Sequence, residues 1–115
     1  MSPRTKPQLQ GSLQRSAPVF AALGDEARLR LVALLCAGGA MSIAQLTEGS
    51  QITRQGVTKH LLVLAEAGLV NDVKAGRERM WEFAPSRLEE ARRSLDHVAR
   101  QWDDALLRLK RIVED

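Results

Sequence analysis

The 115-residue sequence has no tyrosine, two tryptophans, two phenylalanines, one cysteine and two histidines. So few aromatics leave leucine, valine and alanine to build the core, which favours helices over a sandwich or barrel. Cys36 alone cannot make an internal disulfide framework or a thiolate metal cluster. No apolar run approaches the roughly 18 to 20 residues that span a bilayer, and the charged start Met1–Pro7 has no apolar stretch behind it. Neither a membrane segment nor a secretory signal is expected; a cytoplasmic location is. No glycine-rich phosphate loop precedes a helix, and neither His60 nor His97 stands as a base beside a nucleophile, so an enzyme is not expected and no cofactor is.

What is present is a modest basic surplus, 17 Lys and Arg against 14 Asp and Glu. Residues 1–84 hold ten basic and seven acidic side chains, whereas 85–115 hold seven of each. The surplus lies outside the C-terminal segment, and it permits a polyanionic partner.

The length suits one domain. Residues 1–15, with Pro3, Pro7, three basic side chains and no acid, are expected as a flexible basic arm, although Leu9 and Leu13 can extend a following helix. Ser16-Ala17-Pro18 has the form of a helix start, with Ser as N-cap and Pro in the first turn; that helix carries Val19, Phe20 and Leu23 and stops at Gly24. Asp25 caps a helix over Glu26–Ala37, ended by Gly38-Gly39. Leu29, Val32, Ala33 and Cys36 recur there at helical spacing, and Leu31, Leu34 and Leu35 widen the apolar surface, so the helix should be central. Cys36 is expected as a small core residue, inert in its apolar setting.

Ser42 and Gln45 form a capping box opening a short helix to about Glu48, and Gly49–Gln51 makes the turn. Thr53 caps a helix over Arg54–Ala67, ended by Gly68. The period then changes to extended: Leu69–Lys74 and Arg79–Phe83 flank Ala75–Glu78, a β-hairpin. From Pro85 a long helix carries Leu88, Ala91, Leu95, Val98, Trp102, Ala105, Leu109 and Ile112 in alternating steps of three and four, a heptad repeat. A second copy is the natural cover for this stripe; folding back on its own domain is the alternative. With Phe20, these eight residues are the candidate dimer interface.

The fold class is therefore mainly α with a small β-hairpin: a winged helix-turn-helix over 16–84 followed by a long dimerisation helix over 85–115. On the 54–67 helix, Val57, Leu61 and Leu64 share the core face, while Gln55, Thr58 and Lys59 look outward and Arg54 stands at the N-terminal end. Arg forks onto guanine, Gln pairs with adenine, and Thr or Lys takes a phosphate or base edge. No carboxylate interrupts this set. Lys74, Arg77 and Arg79 make a basic wing, though two-residue spacing also allows Arg79 to turn toward Trp81. Ser42, Thr53 and His60 complete the candidate DNA-binding residues, with a packed histidine as the other reading of His60. Gly56 serves close packing or close approach to DNA, and Leu62 a thymine methyl or nothing. A winged-helix module that docks another protein, with an incidental basic surface, is the competing reading.

The chain resembles the ArsR/SmtB family of winged-helix repressors over roughly Phe20 to Pro85. The resemblance rests on Leu23-Gly24-Asp25-Glu26-Ala27-Arg28-Leu29-Arg30-Leu31, on Ile52-Thr53-Arg54-Gln55-Gly56-Val57-Thr58-Lys59-His60-Leu61, and less specifically on Leu64–Val70. It implies a homodimeric cytoplasmic repressor of a palindromic operator in double-stranded DNA near its own promoter. Metal-sensing members place cysteine on the first helix of the pair; Ser42–Glu48 has no thiol. Zinc between C-terminal helices would need more nitrogen or sulfur than His97 beside Asp96, Asp103 and Asp104 provide. No metal site is expected, and the inducer is left unassigned.

Overall fold

A computed structural model describes residues 6–114, with side chains from Gln10 onward. Five helices and three short strands follow in the order α1 (Lys6–Leu23), α2 (Glu26–Gly38), β1 (Met41–Ser42), α3 (Ile43–Ser50), α4 (Arg54–Glu66), β2 (Val70–Ala75), β3 (Glu78–Phe83) and α5 (Pro85–Glu114). The architecture is mainly α with a small antiparallel sheet, as expected.

The first helix departs from expectation. Residues 6–15 are helical rather than an arm, Ser16 is no N-cap, and Pro18 lies inside the helix; residues 1–5 lie outside the described residues. Ser12, Ser16, Val19 and Ala22 form its buried face. The Ser12 hydroxyl meets that of Ser94 on α5, and Arg15 Nε pairs with Glu90 Oε1 at 2.7 Å. An internal proline costs a helix about 3 kcal/mol in isolation. Packing along α5 overrides that local preference.

The second helix starts as expected: the Asp25 carboxylate accepts from the Arg28 N–H at 3.1 Å, and Gly39, at φ 75°, ends it with its N–H on the Leu35 carbonyl. The buried face differs. Leu31, Val32 and Leu35 point inward, whereas Leu29 is half exposed and Ala33 and Cys36 are exposed. A helix apolar nearly all round offers no moment to choose a face, and the larger leucines take the interior. The expected burial of Cys36 does not hold, and the inertness argued from that burial loses its premise.

The capping box is present in both directions, Ser42 Oγ accepting from Gln45 N–H and Gln45 Oε1 from Ser42 N–H. Helix α3 runs two residues beyond Glu48 and ends at Gln51, the one non-glycine with positive φ among the described residues. Thr53 then caps α4, which buries Val57, Leu61 and Leu64. Strands β2 and β3 pair from Val70↔Phe83 to Ala75↔Glu78. The connection is only Gly76-Arg77, with Gly76 at φ 67°, the type II′ arrangement that suits hairpin twist. The unexpected β1 adds Met41↔Trp81 and Ser42↔Met80, giving the order β1-β3-β2. Leucines 31, 35, 46, 61, 64 and 69 meet Val57, Val70 and Trp81 in one core between the helices and the sheet.

Helix α5 divides its stripe. Ala91 is buried and Leu88 packs against the core, so the beginning of the repeat does fold back on its own chain. Past Ser94 the stripe is open: Leu95, Val98, Trp102, Ala105, Leu109 and Ile112 are exposed. The helix, 30 residues long, spans about 45 Å. No helix among the described residues is long and apolar enough to cross a membrane.

Candidate nucleic-acid interface

Helix α4 gains its place from both ends. Thr53 Oγ1 accepts the Gly56 N–H at 3.1 Å, and the Leu64–Leu69 backbone bond and Gly68, at φ 79°, turn the chain into β2. A Cβ on Gly56 would stand 2.9 Å from Ile52 Cγ2 and 3.0 Å from Thr53 Oγ1. Of its two open roles, the glycine therefore serves close packing of the cap.

With Val57, Leu61 and Leu64 inward, an open concavity of about 430 Å³ is lined by Arg54, Gln55, Thr58 and Lys59. Arg54, Gln55 and Lys59 are exposed. The Thr58 hydroxyl donates to the Arg54 carbonyl at 3.0 Å, leaving its lone pairs outward. Positive charge at this end adds to the partial charge of the helix N-terminus, an arrangement suited to phosphate. Leu62, 55% exposed, shares the outward side.

Two expected contributors do not join this surface. Ser42 is buried, its hydroxyl engaged in the α3 cap. His60 is half-buried and turns toward α2, its Nδ1 3.5 Å from the Arg28 guanidinium. Thr53 stays exposed beside Arg54.

The hairpin carries Lys74, Arg77 and Arg79, all exposed. Lys74 stands directly opposite Arg79 across the strands. Arg79 is engaged within the sheet: its Nε bonds Asp72 Oδ2 at 3.0 Å, and its guanidinium lies over Trp81. Among the described residues, no ion pair involves Arg54, Lys59, Lys74 or Arg77, whereas Arg15, Arg28, Arg30, Arg79, Arg92, Arg93 and Lys110 each have a carboxylate within 4.0 Å. Among the described residues, the cations without an ion pair thus include two on α4 and two on the hairpin, besides Arg87, Arg100, Arg108 and Arg111 on α5. That pattern suits an anionic polymer that crosses both elements.

Arg28 went unnoticed in the sequence except within the resemblance. Its side chain is largely buried, and it reaches the carbonyls at the end of α1, Asp25 and His60. The Asp25 carboxyl is held below its ordinary value, first by the Arg28 N–H it accepts and then by the Arg28 charge. Among the described residues, no three His, Cys, Asp or Glu side chains group as metal ligands.

Residues 23–73 match a family described as a helix-turn-helix domain. The HTH-type transcriptional regulator Rv2034 of Mycobacterium tuberculosis is 33% identical over 93 residues, covering 81% of this chain and 83% of that protein. An ArsR-like transcriptional regulator from Rhodococcus sp. RHA1 superposes with a TM-score of 0.76 at 35% identity, over 89% of this chain and 95% of that one. The homodimeric winged helix-turn-helix domain Mb0332 of Mycobacterium bovis shares the fold, with a TM-score of 0.62 at 22% identity, over 88% of this chain and 91% of that one. With the helix-turn-helix, the hairpin and the unpaired basic residues in one frame, the chain belongs to the ArsR family of winged-helix transcriptional regulators.

Proposed function

We propose that this regulator is a cytoplasmic homodimeric repressor that reads a palindromic operator near its own promoter, without a metal-sensing site. The observation that carries the DNA contact is the concavity lined by Arg54, Gln55, Thr58 and Lys59, flanked by the unpaired Lys74 and Arg77. Helix α4 enters the major groove: Gln55 and Arg54 meet base edges, while Lys59 and Thr58 take phosphate or base edge. Thr53 lies at the groove's rim, and Lys74 and Arg77 lie along the neighbouring backbone or minor groove.

Residues 16–84 are the DNA-binding unit in this reading, and 85–115 supply the dimerisation helix. What supports the second copy is the open part of α5, where Trp102 is 65% and Ile112 73% exposed. Covering such side chains stabilises an interface by roughly 1 kcal/mol or more each. Phe20, 37% exposed on α1, is a further candidate for the interface. Two α4 helices then sit about 34 Å apart, one turn of DNA. The absence of any thiol from Ser42–Glu48 supports a signal other than a thiolate-bound metal.

Fluorescence anisotropy of the purified protein on its own upstream DNA, against a scrambled duplex at two salt concentrations, tests the proposal. Preference for the native duplex by about a thousandfold is expected. Equal binding to both duplexes, with genomic selection recovering no preferred site, would overturn it.

A further inference from the structure

From α2, Arg28 reaches two other helices at once. Its Nε donates to the Ala22 carbonyl at 2.5 Å and one terminal nitrogen reaches the Ala21 carbonyl at 3.5 Å. The other terminal nitrogen lies 3.5 Å from His60 Nδ1 and 4.0 Å from Asp25 Oδ2. Helix α1 has no basic residue in its own last turn, so Arg28 supplies from α2 the cation that its terminal carbonyls favour. A guanidinium can only donate, so in this contact His60 Nδ1 is the acceptor. On α4, His60 lies about 100° around the helix from Lys59 and about 140° from Gln55. It lies behind the reading face.

We propose that Arg28 is a positioning residue: through His60 it fixes α4 against the end of α1, and so sets the pose in which α4 meets DNA. This rests on the DNA-binding reading of the α4 surface. The planar fork is essential, since a lysine presents one nitrogen and cannot serve the α1 carbonyls and His60 together. Because neither residue faces the concavity, their loss changes how well the reading face fits rather than how many phosphates are met.

The test uses the full chain and a duplex recovered by selection from a random pool with the wild-type protein. Titrations of Arg28→Lys, His60→Leu, His60→Gln and the Arg28→Lys/His60→Leu double variant are run on that duplex and on a scrambled one, with thermal melts alongside. Arg28→Lys and His60→Leu are each expected to lose about tenfold on the selected duplex, the scale of one charge-assisted hydrogen bond. The double variant loses no more than either single, and His60→Gln, which keeps an acceptor, recovers most of the affinity. Affinity for the scrambled duplex and its salt slope stay as in wild type. Losses that multiply in the double variant, or a lowered salt slope, overturn the proposal. His60→Leu bound as tightly as wild type does so even if Arg28→Lys proves unstable. A wild-type protein that enriches no duplex removes the DNA reading itself, and this inference with it.

Discussion

The guanidinium carbon of Arg79 lies 4.9 Å from the centre of the Trp81 ring, on the same face of the hairpin. The Asp72 carboxylate holds it there. Arg77, two residues away at the turn, has no such partner among the described residues, so two arginines of one wing have different work. Arg77→Ala should lower the salt slope of DNA binding by about one for each phosphate the side chain had neutralised. Arg79→Ala should leave the slope nearly unchanged and destabilise the hairpin by about 0.5–1 kcal/mol, the worth of an exposed cation–π contact. Salt titrations and urea melts of both variants check this, and equal slopes would reverse the assignment.

On α4 the same distinction separates Lys59 from Gln55. Lys59→Ala is expected to weaken binding on every duplex and flatten the salt dependence. Gln55→Ala should cost about 1–3 kcal/mol on the preferred site and little on a scrambled one, with loss of preference at one base pair of each half-site. Base-substituted duplexes read the difference.

Gly68 is required by geometry rather than by contact with any ligand. At φ 79°, its added Cβ would stand 2.7 Å from Arg87 Cγ. Gly68→Ala should destabilise the fold by about 1–2 kcal/mol for the left-handed backbone alone, with displacement of Arg87 adding to it. A melt at or above the wild-type midpoint would show that the α4–β2 junction relaxes.

Acid should loosen the α1–α5 pairing. The Glu90 carboxyl is held below its ordinary 4.5, chiefly by the hydrogen bond from Arg15, and Asp25 below 3.8 by the Arg28 N–H. In each case the folded state keeps the charged form longer than the unfolded chain does. Their stabilisation is complete above the unfolded values and is lost as pH falls through the lower folded ones. Glu90→Gln should therefore lose less stability than wild type on going from about pH 5 to about pH 3. Urea melts across that window measure it, and parallel pH profiles would exclude Glu90 as a contributor.

Trp102→Glu should abolish dimerisation while sparing the monomer, because Trp102 touches solvent over 65% of its surface in the single chain. Sedimentation velocity should show a monomer, with DNA affinity reduced toward that of one half-site. A variant that still sediments as a dimer would place the partner elsewhere.

Much of the α2-to-hairpin region was legible because its signals are local. Asp25, Ser42 and Thr53 each cap with a side chain close in sequence to the N–H it accepts, and the Val57–Leu61–Leu64 face is a clean helical period. The misreadings arise where the deciding contact is remote. Ser12 and Ser16 are polar, so no apolar periodicity marks them, yet they are buried against α5, where Ser12 meets Ser94 some eighty residues on. Two-residue β1 is too short to carry an alternation. Cys36 and Leu35 are equally apolar in a helix with little polar face, and only packing turns one out and the other in. Of the candidate DNA residues, Arg54, Gln55, Thr58 and Lys59 come together as expected. Ser42 and His60 separate from them because capping and Arg28 claim those side chains first.

The serines at the α1–α5 crossing have a mechanical consequence. Small side chains let the two helices approach closely at Ser94, and from Val98 onward the described residues of α5 are exposed, roughly 25 Å of rod. Over a rod of that length, a change in direction of about 10° carries its far end roughly 4–5 Å, close to the rise of one helical turn. In the proposed dimer joined along those rods, the spacing of the two α4 helices would therefore answer to the direction in which α5 leaves the serine-lined crossing, far from either α4.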